Sequence, residues 1–167
     1  MDRLWTPWRY QYITKSSAGS GVSAAQASSS CIFCVKAAEA ADEENLIVAR
    51  AQYNFVLLNL FPYSTGHLMI APYAHIDSLA AAAPEAATEM MELARHAESV
   101  LRAVYRPPGL NLGMNLGECA GAGVAGHIHL HVLPRWPGDA NFMTTIGETR
   151  VLPEDLNTSL QRLRSAW

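Results

Sequence analysis

His127-Ile128-His129-Leu130-His131-Val132-Leu133 alternates three imidazoles with aliphatic side chains, and this heptad decides how the chain folds. On an extended strand, successive side chains point to opposite faces, and residues two apart stand roughly 6.6 Å from each other on one face. The pattern predicts a row of imidazoles from His127, His129 and His131, with Ile128, Leu130 and Val132 docked on a core. A buried imidazole needs hydrogen-bond partners, so three in a row point to chemistry rather than packing. Histidine titrates nearest neutrality and serves as nucleophile, proton carrier or metal ligand.

The ten residues ahead of the heptad, 117–126, are rich in glycine. Glycines let backbone N–H groups converge on an anion. Beside a row of histidines this loop points to phosphoryl transfer. It lacks the Gly-Lys-Ser/Thr ending of a Walker loop and does not match a dinucleotide-binding fingerprint. Further upstream, Cys31-Ile32-Phe33-Cys34 suits two corners of a tetrahedral zinc site completed by distant histidines. Two buried thiols or a redox pair would have the same local sequence. Cys119 has no partner in sequence and reads as an ordinary thiol.

Around these motifs, residues 46–50 and 54–60 read as two strands about a turn, 66–73 as a third and 110–116 as a fourth. Residues 84–105 read as the long helix, opened by proline and free of internal breakers. Its expected apolar stripe is Ala87, Met90, Met91, Ala94, Ala97 and Leu101, and Pro107-Pro108-Gly109 ends it. Strands joined partly by short turns, with few helices, predict an α+β domain around an antiparallel sheet. The expected organisation is an N-terminal extension with a flexible Ser/Ala/Gly linker (1–30), a catalytic domain (31–150) and a C-terminal tail (151–167). The extension opens on the aromatics Trp5, Trp8, Tyr10 and Tyr12.

At 167 residues, half of them hydrophobic and 16% charged, the chain is large enough to bury a real core and is not disordered overall. A net charge of −3 gives no basic footprint for a nucleic-acid backbone. Lys15 and Lys36 are the only lysines, so an anionic ligand must be held mainly by histidine, arginine and backbone N–H groups. The uncharged run 55–76 is interrupted by Asn59, Pro62, Gly66, His67, Pro72 and His75, which argues against a membrane span. Three cysteines without a secretory signal fit a reducing cytoplasm.

The heptad, Gly66-His67-Leu68-Met69-Ile70-Ala71-Pro72 and Gly117-Glu118-Cys119-Ala120-Gly121 together resemble the histidine-triad (HIT) family, in the family's order, over residues 31–142. Pro134-Arg135-Trp136, Gly138-Asp139-Ala140-Asn141-Phe142 and Trp5-Thr6-Pro7-Trp8-Arg9 are most similar to its bacterial diadenosine tetraphosphate phosphorylase and hydrolase branch. The resemblance implies a HIT-like antiparallel sheet with flanking helices, a homodimer, and nucleotide substrates cut at the α-phosphate with phosphate or water as acceptor. Carried over by position, His129 is the nucleophile and forms a nucleotidyl-histidine, while His131 and His67 orient and polarise the site. Asn59 meets the ribose, Asn115 the bridging or leaving-group oxygens, and the loop glycines, Gly121 and Gly123 among them, the phosphates.

Zinc-bearing members imply a structural zinc on Cys31, Cys34, His75 and His127. Any magnesium would travel with the polyphosphate, since no carboxylate cluster marks a protein-held site. The chain departs from the family pattern at Ala122-Gly123-Val124-Ala125-Gly126, which offers no side-chain donor, so phosphate contacts there must be mostly backbone. Two other readings use the same residues. In one the histidines converge on a catalytic zinc with an open water position. In the other the chain is a nucleotide-binding scaffold with weak nucleoside phosphoramidate hydrolase activity.

Overall fold

A computed structural model of the chain describes residues 31–139, 146–147 and 153–167. The aromatic N-terminal segment, the 16–30 linker and Ala140-Asn141-Phe142 lie outside the described residues. Helix α1 (Ile32–Ala38) leads into strands β1 (Ile47–Arg50), β2 (Asn54–Leu58) and β3 (Leu68–Pro72). Helix α2 (Pro84–Tyr105), strands β4 (Gly109–Gly113) and β5 (Leu130–Arg135), and helix α3 (Leu156–Ala166) follow. The five strands form one antiparallel sheet in the order β1-β2-β3-β5-β4, the α+β architecture expected from the strand and helix pattern. No helix among the described residues is long and apolar enough to cross a membrane.

Strand alternation sorts the side chains into two layers. Val56, Leu58, Leu68, Ile70, Leu130 and Val132 face a core shared with Met90, Ala94, Ala97 and Leu101 of α2 and Leu160 and Leu163 of α3. Phe55, Leu57, Met69 and Ala71 face the other way, toward Cys31 and Phe33 at the start of α1. Because Met69 pairs with His131 across β3 and β5, the imidazoles share this second face with α1. The segment 151–167, set apart from sequence as a tail, carries α3. Its Leu160 and Leu163 are fully buried, and each stabilises the fold by about 1.5–3 kcal/mol.

Two sequence expectations need correction. The apolar stripe of α2 runs through Ala86, Met90, Ala94, Ala97, Val100 and Leu101, whereas Met91 is 59% exposed. One residue is 100° around a helix, so a stripe anchored on Met90 turns Met91 away from the sheet. The His strand is also shorter than expected. Only His131 lies within the β5 ladder, which starts at Leu130. The β3 register would carry the pairing on toward Pro72, which has no N–H to donate. Ile128 N–H instead donates to the Ile76 carbonyl at 2.8 Å. The heptad still alternates: Ile128, Leu130 and Val132 are buried, and the imidazoles occupy the opposite face.

Two local devices fix the frame beneath the site. The Glu89 carboxylate of α2 accepts from the Gln52, Tyr53 and Asn54 N–H groups and the Asn54 amide, all at 2.8–2.9 Å. It thereby ties the β1–β2 turn to the helix, and these bonds hold its pKa below the usual carboxylate value although burial pushes the other way. Gly66, just ahead of His67, sits at φ +76°, and a Cβ there would lie 2.7 Å from the Tyr105 ring. Both the left-handed backbone and the close approach require glycine.

Candidate active site

Four potential metal ligands converge from three segments. Cys31 and Cys34 come from the first turn of α1, His75 from the loop after β3, and His127 from the approach to β5. Their ligand atoms all lie within 4.8 Å of one another. The Cys31 sulfur is 3.4 Å from His127 Nδ1, and the Cys34 sulfur is 3.3 Å from His75 Nδ1 and 3.6 Å from His127 Nδ1. Zn–S and Zn–N bonds of ordinary length at a tetrahedral angle put sulfur and nitrogen about 3.5 Å apart, so the donor set fits the ion. His127 Nε2–H donates to the Pro72 carbonyl at 2.8 Å, which leaves Nδ1 unprotonated and pointing at the thiols. Burial pushes the Cys34 thiol up to about 11, with Cys31 adding to the shift. The Cys34 thiol thus resists ionisation unless a cation joins it. This is the only such group among the described residues.

The other imidazoles form a second unit. The Tyr63 N–H donates to His67 Nδ1 at 3.1 Å, which assigns the proton of His67 to Nε2. That Nε2–H points at His131 Nδ1 at 2.8 Å. Neutral His131 then carries its proton on Nε2. His129 Nδ1–H donates to the His127 carbonyl at 2.9 Å, so the lone pair of His129 is on Nε2. Burial holds the pKa of His129 below the ordinary value. Burial, with His129 alongside, takes His131 to about 4. Both rings are therefore neutral near pH 7, one presenting an unprotonated nitrogen and the other an N–H. The three triad imidazoles do not converge on one metal, because each makes a different contact.

His129 and His131 line a cleft of about 320 Å³ that also takes in Asn59, Asn115, Gly121 and Gly123. Asn59 Oδ1 accepts from the Phe61 N–H at 2.9 Å and keeps a second lone pair. Asn115 Nδ2 donates to the Gly121 carbonyl at 3.3 Å. The loop is more self-contained than its composition suggests. Gly121 N–H donates to Glu118 O and Ala122 N–H to Gly117 O, whereas Gly123 and Val124 N–H have no partner among the described residues. Any backbone contact to phosphate thus shifts toward Gly123.

Two aromatic residues of the site escaped the sequence reading. The Phe33 ring packs on His129 at 4.8 Å and His127 at 5.2 Å. Tyr63 packs on His67 at 4.7 Å and His131 at 5.9 Å. Phe33 sits inside the Cys-x-x-Cys pair, and Tyr63 lies in the connection between β2 and β3. Their only signal was a bulky ring at a motif.

The HIT domain family model matches residues 40–138. A Mycobacterium tuberculosis protein named AP-4-A phosphorylase is 39% identical over 171 residues, covering 100% of this chain and 85% of the relative. The crystal structure of a Zn-bound histidine triad family protein from Mycobacterium smegmatis superposes with a TM-score of 0.66 at 28% identity, covering 83% of this chain and 94% of that one. A HIT family structure from Bacillus subtilis gives a TM-score of 0.58 at 26% identity, covering 81% and 96%.

Proposed function

The chain belongs to the HIT domain family, and on that footing we propose that it is an enzyme cleaving dinucleoside polyphosphates, of the diadenosine tetraphosphate kind, at the α-phosphate. His129 Nε2 attacks the α-phosphorus in line. The N–P bond forms as the bridging P–O bond breaks, and the rest of the polyphosphate leaves as an anion that needs no proton. Inorganic phosphate or water then attacks the nucleotidyl-histidine, and the N–P bond breaks to release the nucleotide. The observation that carries this reading is the His129 Nδ1–H bond to the His127 carbonyl, which leaves Nε2 unprotonated beside the cleft.

His131 Nε2–H is the donor to a non-bridging α-phosphate oxygen, and His67 keeps it in that tautomer. Donors fixed where charge develops supply much of the rate in such reactions. Asn59 takes the ribose, while Asn115 and the Gly123 end of the loop take the polyphosphate. Phe33, Ile32, Leu57 and Leu60 give the cleft apolar walls, suited to a base. Cys31, Cys34, His75 and His127 hold a structural zinc. Its chemistry is to join α1, the β3 loop and the β5 approach, not to act on substrate. The resemblance also implies a homodimer, and the three cysteines fit a reducing cytoplasm.

The test is chromatography of the products from diadenosine tetraphosphate, with and without inorganic phosphate, beside His129→Ala. ATP plus ADP formed only with phosphate means phosphorolysis, and AMP plus ATP without it means hydrolysis. No product from the wild-type chain, or equal turnover by His129→Ala, would overturn the mechanism.

A further inference from the structure

Among the described residues the His129 ring makes one hydrogen bond, from Nδ1–H to the His127 carbonyl. Such a bond is worth only roughly two- to tenfold in population, and the outer torsion of a histidine is broad. The bond selects which edge of the ring turns inward but leaves its plane loosely set. The plane matters because the Nε2 lone pair lies in it, so a tilt swings the lone pair off an in-line approach to phosphorus. Two rings border His129. His131 stands nearly perpendicular to it at 4.9 Å, and Phe33 packs on it at 4.8 Å with 34° between the planes. Phe33 is the one nearer parallel, so it is the ring that a tilt of His129 would run into.

Phe33 is placed in turn by the metal ligands. It lies between Cys31 and Cys34 in the chain and is buried in one cluster with Ile47, Phe55, Leu57 and Met69. Helix α1 has seven residues, and its N-cap, Cys31, makes no side-chain capping bond. A helix that short does not hold itself. The contacts of the Cys31 and Cys34 sulfurs with His127 and His75 tie its first turn to the sheet. The Phe33 ring also packs on His127 at 5.2 Å, whose carbonyl receives the His129 Nδ1–H. The edge and the plane of the His129 ring are thus both set from the four-ligand cluster, the edge by His127 and the plane by Phe33.

On the reading of His129 as the nucleophile, we propose that Phe33 is a positioning residue, which carries the order of the Cys31, Cys34, His75 and His127 cluster to the His129 ring and keeps Nε2 turned to the cleft. With the four ligands drawn together, Phe33 is held against His129 and the Nδ1–H bond stays closed. With the cluster open, α1 loosens, the ring tilts and the bond is shared with water. An unconstrained imidazole keeps its proton mainly on Nε2, so loosening also moves the proton onto the nitrogen that must attack. The cluster therefore bears on rate more than on substrate affinity, because a reacting group misplaced by about 1 Å costs on the order of a hundredfold. Phe33→Leu separates the two effects, since it keeps the cleft wall apolar and removes the flat ring.

The experiment compares the zinc-loaded full-length chain with zinc-loaded Phe33→Leu, by the nitrogen-15 resonances of the His129 ring, assigned by their loss in His129→Ala, and by turnover of diadenosine tetraphosphate. The wild-type ring should show Nδ1 protonated and Nε2 bare. In Phe33→Leu, with zinc retained by native mass spectrometry, the proton should shift toward Nε2 at the same pH. Its kcat should fall about tenfold or more while KM stays within about threefold. Removing zinc from the wild-type chain with a chelator should move the same resonances in the same direction. Should Phe33→Leu not fold, Phe33→Met and the metal-free wild type decide by those resonances. Unchanged His129 resonances in the folded variant or on zinc removal, or a raised KM with kcat intact, would overturn the role of Phe33 and leave the nucleophile standing. A wild-type chain that does not turn over the substrate would overturn the enzyme reading instead, and the resonances would still decide whether Phe33 positions the ring.

Discussion

Acidification is expected to leave His131 uncharged long after an exposed histidine would have taken up a proton. Its ring is 9% exposed, with His129 at 4.9 Å, His67 at 5.0 Å and the Tyr63 ring alongside. Its Nδ1 already accepts from His67 Nε2–H at 2.8 Å. A proton added at His131 Nδ1 would set two N–H groups against each other. His67 could yield only by moving its own proton to Nδ1, where the Tyr63 N–H already points.

A pKa near 4 in place of the ordinary 6.5 corresponds to roughly 3 kcal/mol favouring the neutral ring. At pH 6 about 1% of His131 would be protonated, against about three-quarters of an unperturbed histidine. The sign follows from linkage: the folded pKa is depressed, so the unfolded chain binds more protons between the two values. The contribution is present in full above the ordinary histidine value and is lost as the pH falls toward 4. Two measurements check this. Ring resonances of His131, assigned by its loss in His131→Asn, should not shift between pH 8 and pH 5.5. Urea unfolding should show stability falling below pH 6.5. A His131 midpoint near 6.5 would refute the hydrogen-bond chain as drawn.

The remaining predictions concern the metal cluster and the frame. The chain should bind one zinc, and Cys31→Ser should lose it, as read by native mass spectrometry; one-to-one binding by the variant would contradict the ligand set. Glu89→Ala strips the acceptor from the N–H and amide of fully buried Asn54 and should lower stability by about 2–3 kcal/mol in urea; a loss under about 0.5 kcal/mol would show the clamp to be dispensable. Gly66→Ala combines left-handed strain with a Cβ 2.7 Å from the Tyr105 ring and should cost about 2 kcal/mol or more; an unchanged thermal midpoint would show that the ring simply moves aside.

The histidine face was legible because side-chain direction on an extended chain depends on parity alone. The alternation from Ile128 to Val132 survives even where the ladder stops. The end of that ladder was not legible. It depends on Pro72, 58 residues before Leu130, occupying the partner position. Met91 was misassigned because methionines at consecutive positions do not reveal which of them faces the sheet. Helix α1 was not foreseen: seven residues are too few to carry a helical period, and its placement follows from contacts with His75 and His127, 41 and 96 residues away from their thiol partners. Phe33 and Tyr63 became visible only once those contacts had brought their rings onto the histidines.

The family match stops at residue 138, yet the folding unit does not. Leu160 and Leu163 of α3 fill the core beneath the sheet, Arg164 Nε–H donates to the Ile47 carbonyl at 2.9 Å, and Glu154 accepts from Tyr105 and Ser159 at 2.7 Å. A chain ended at residue 138 would keep every residue assigned to catalysis while opening a leucine-sized gap at two places under β1 and α2. Such a fragment would be expected to aggregate through that bared apolar face. An affinity handle added at the C-terminus should therefore be set off from Trp167 by a spacer, because that residue already packs against His96 at 4.7 Å.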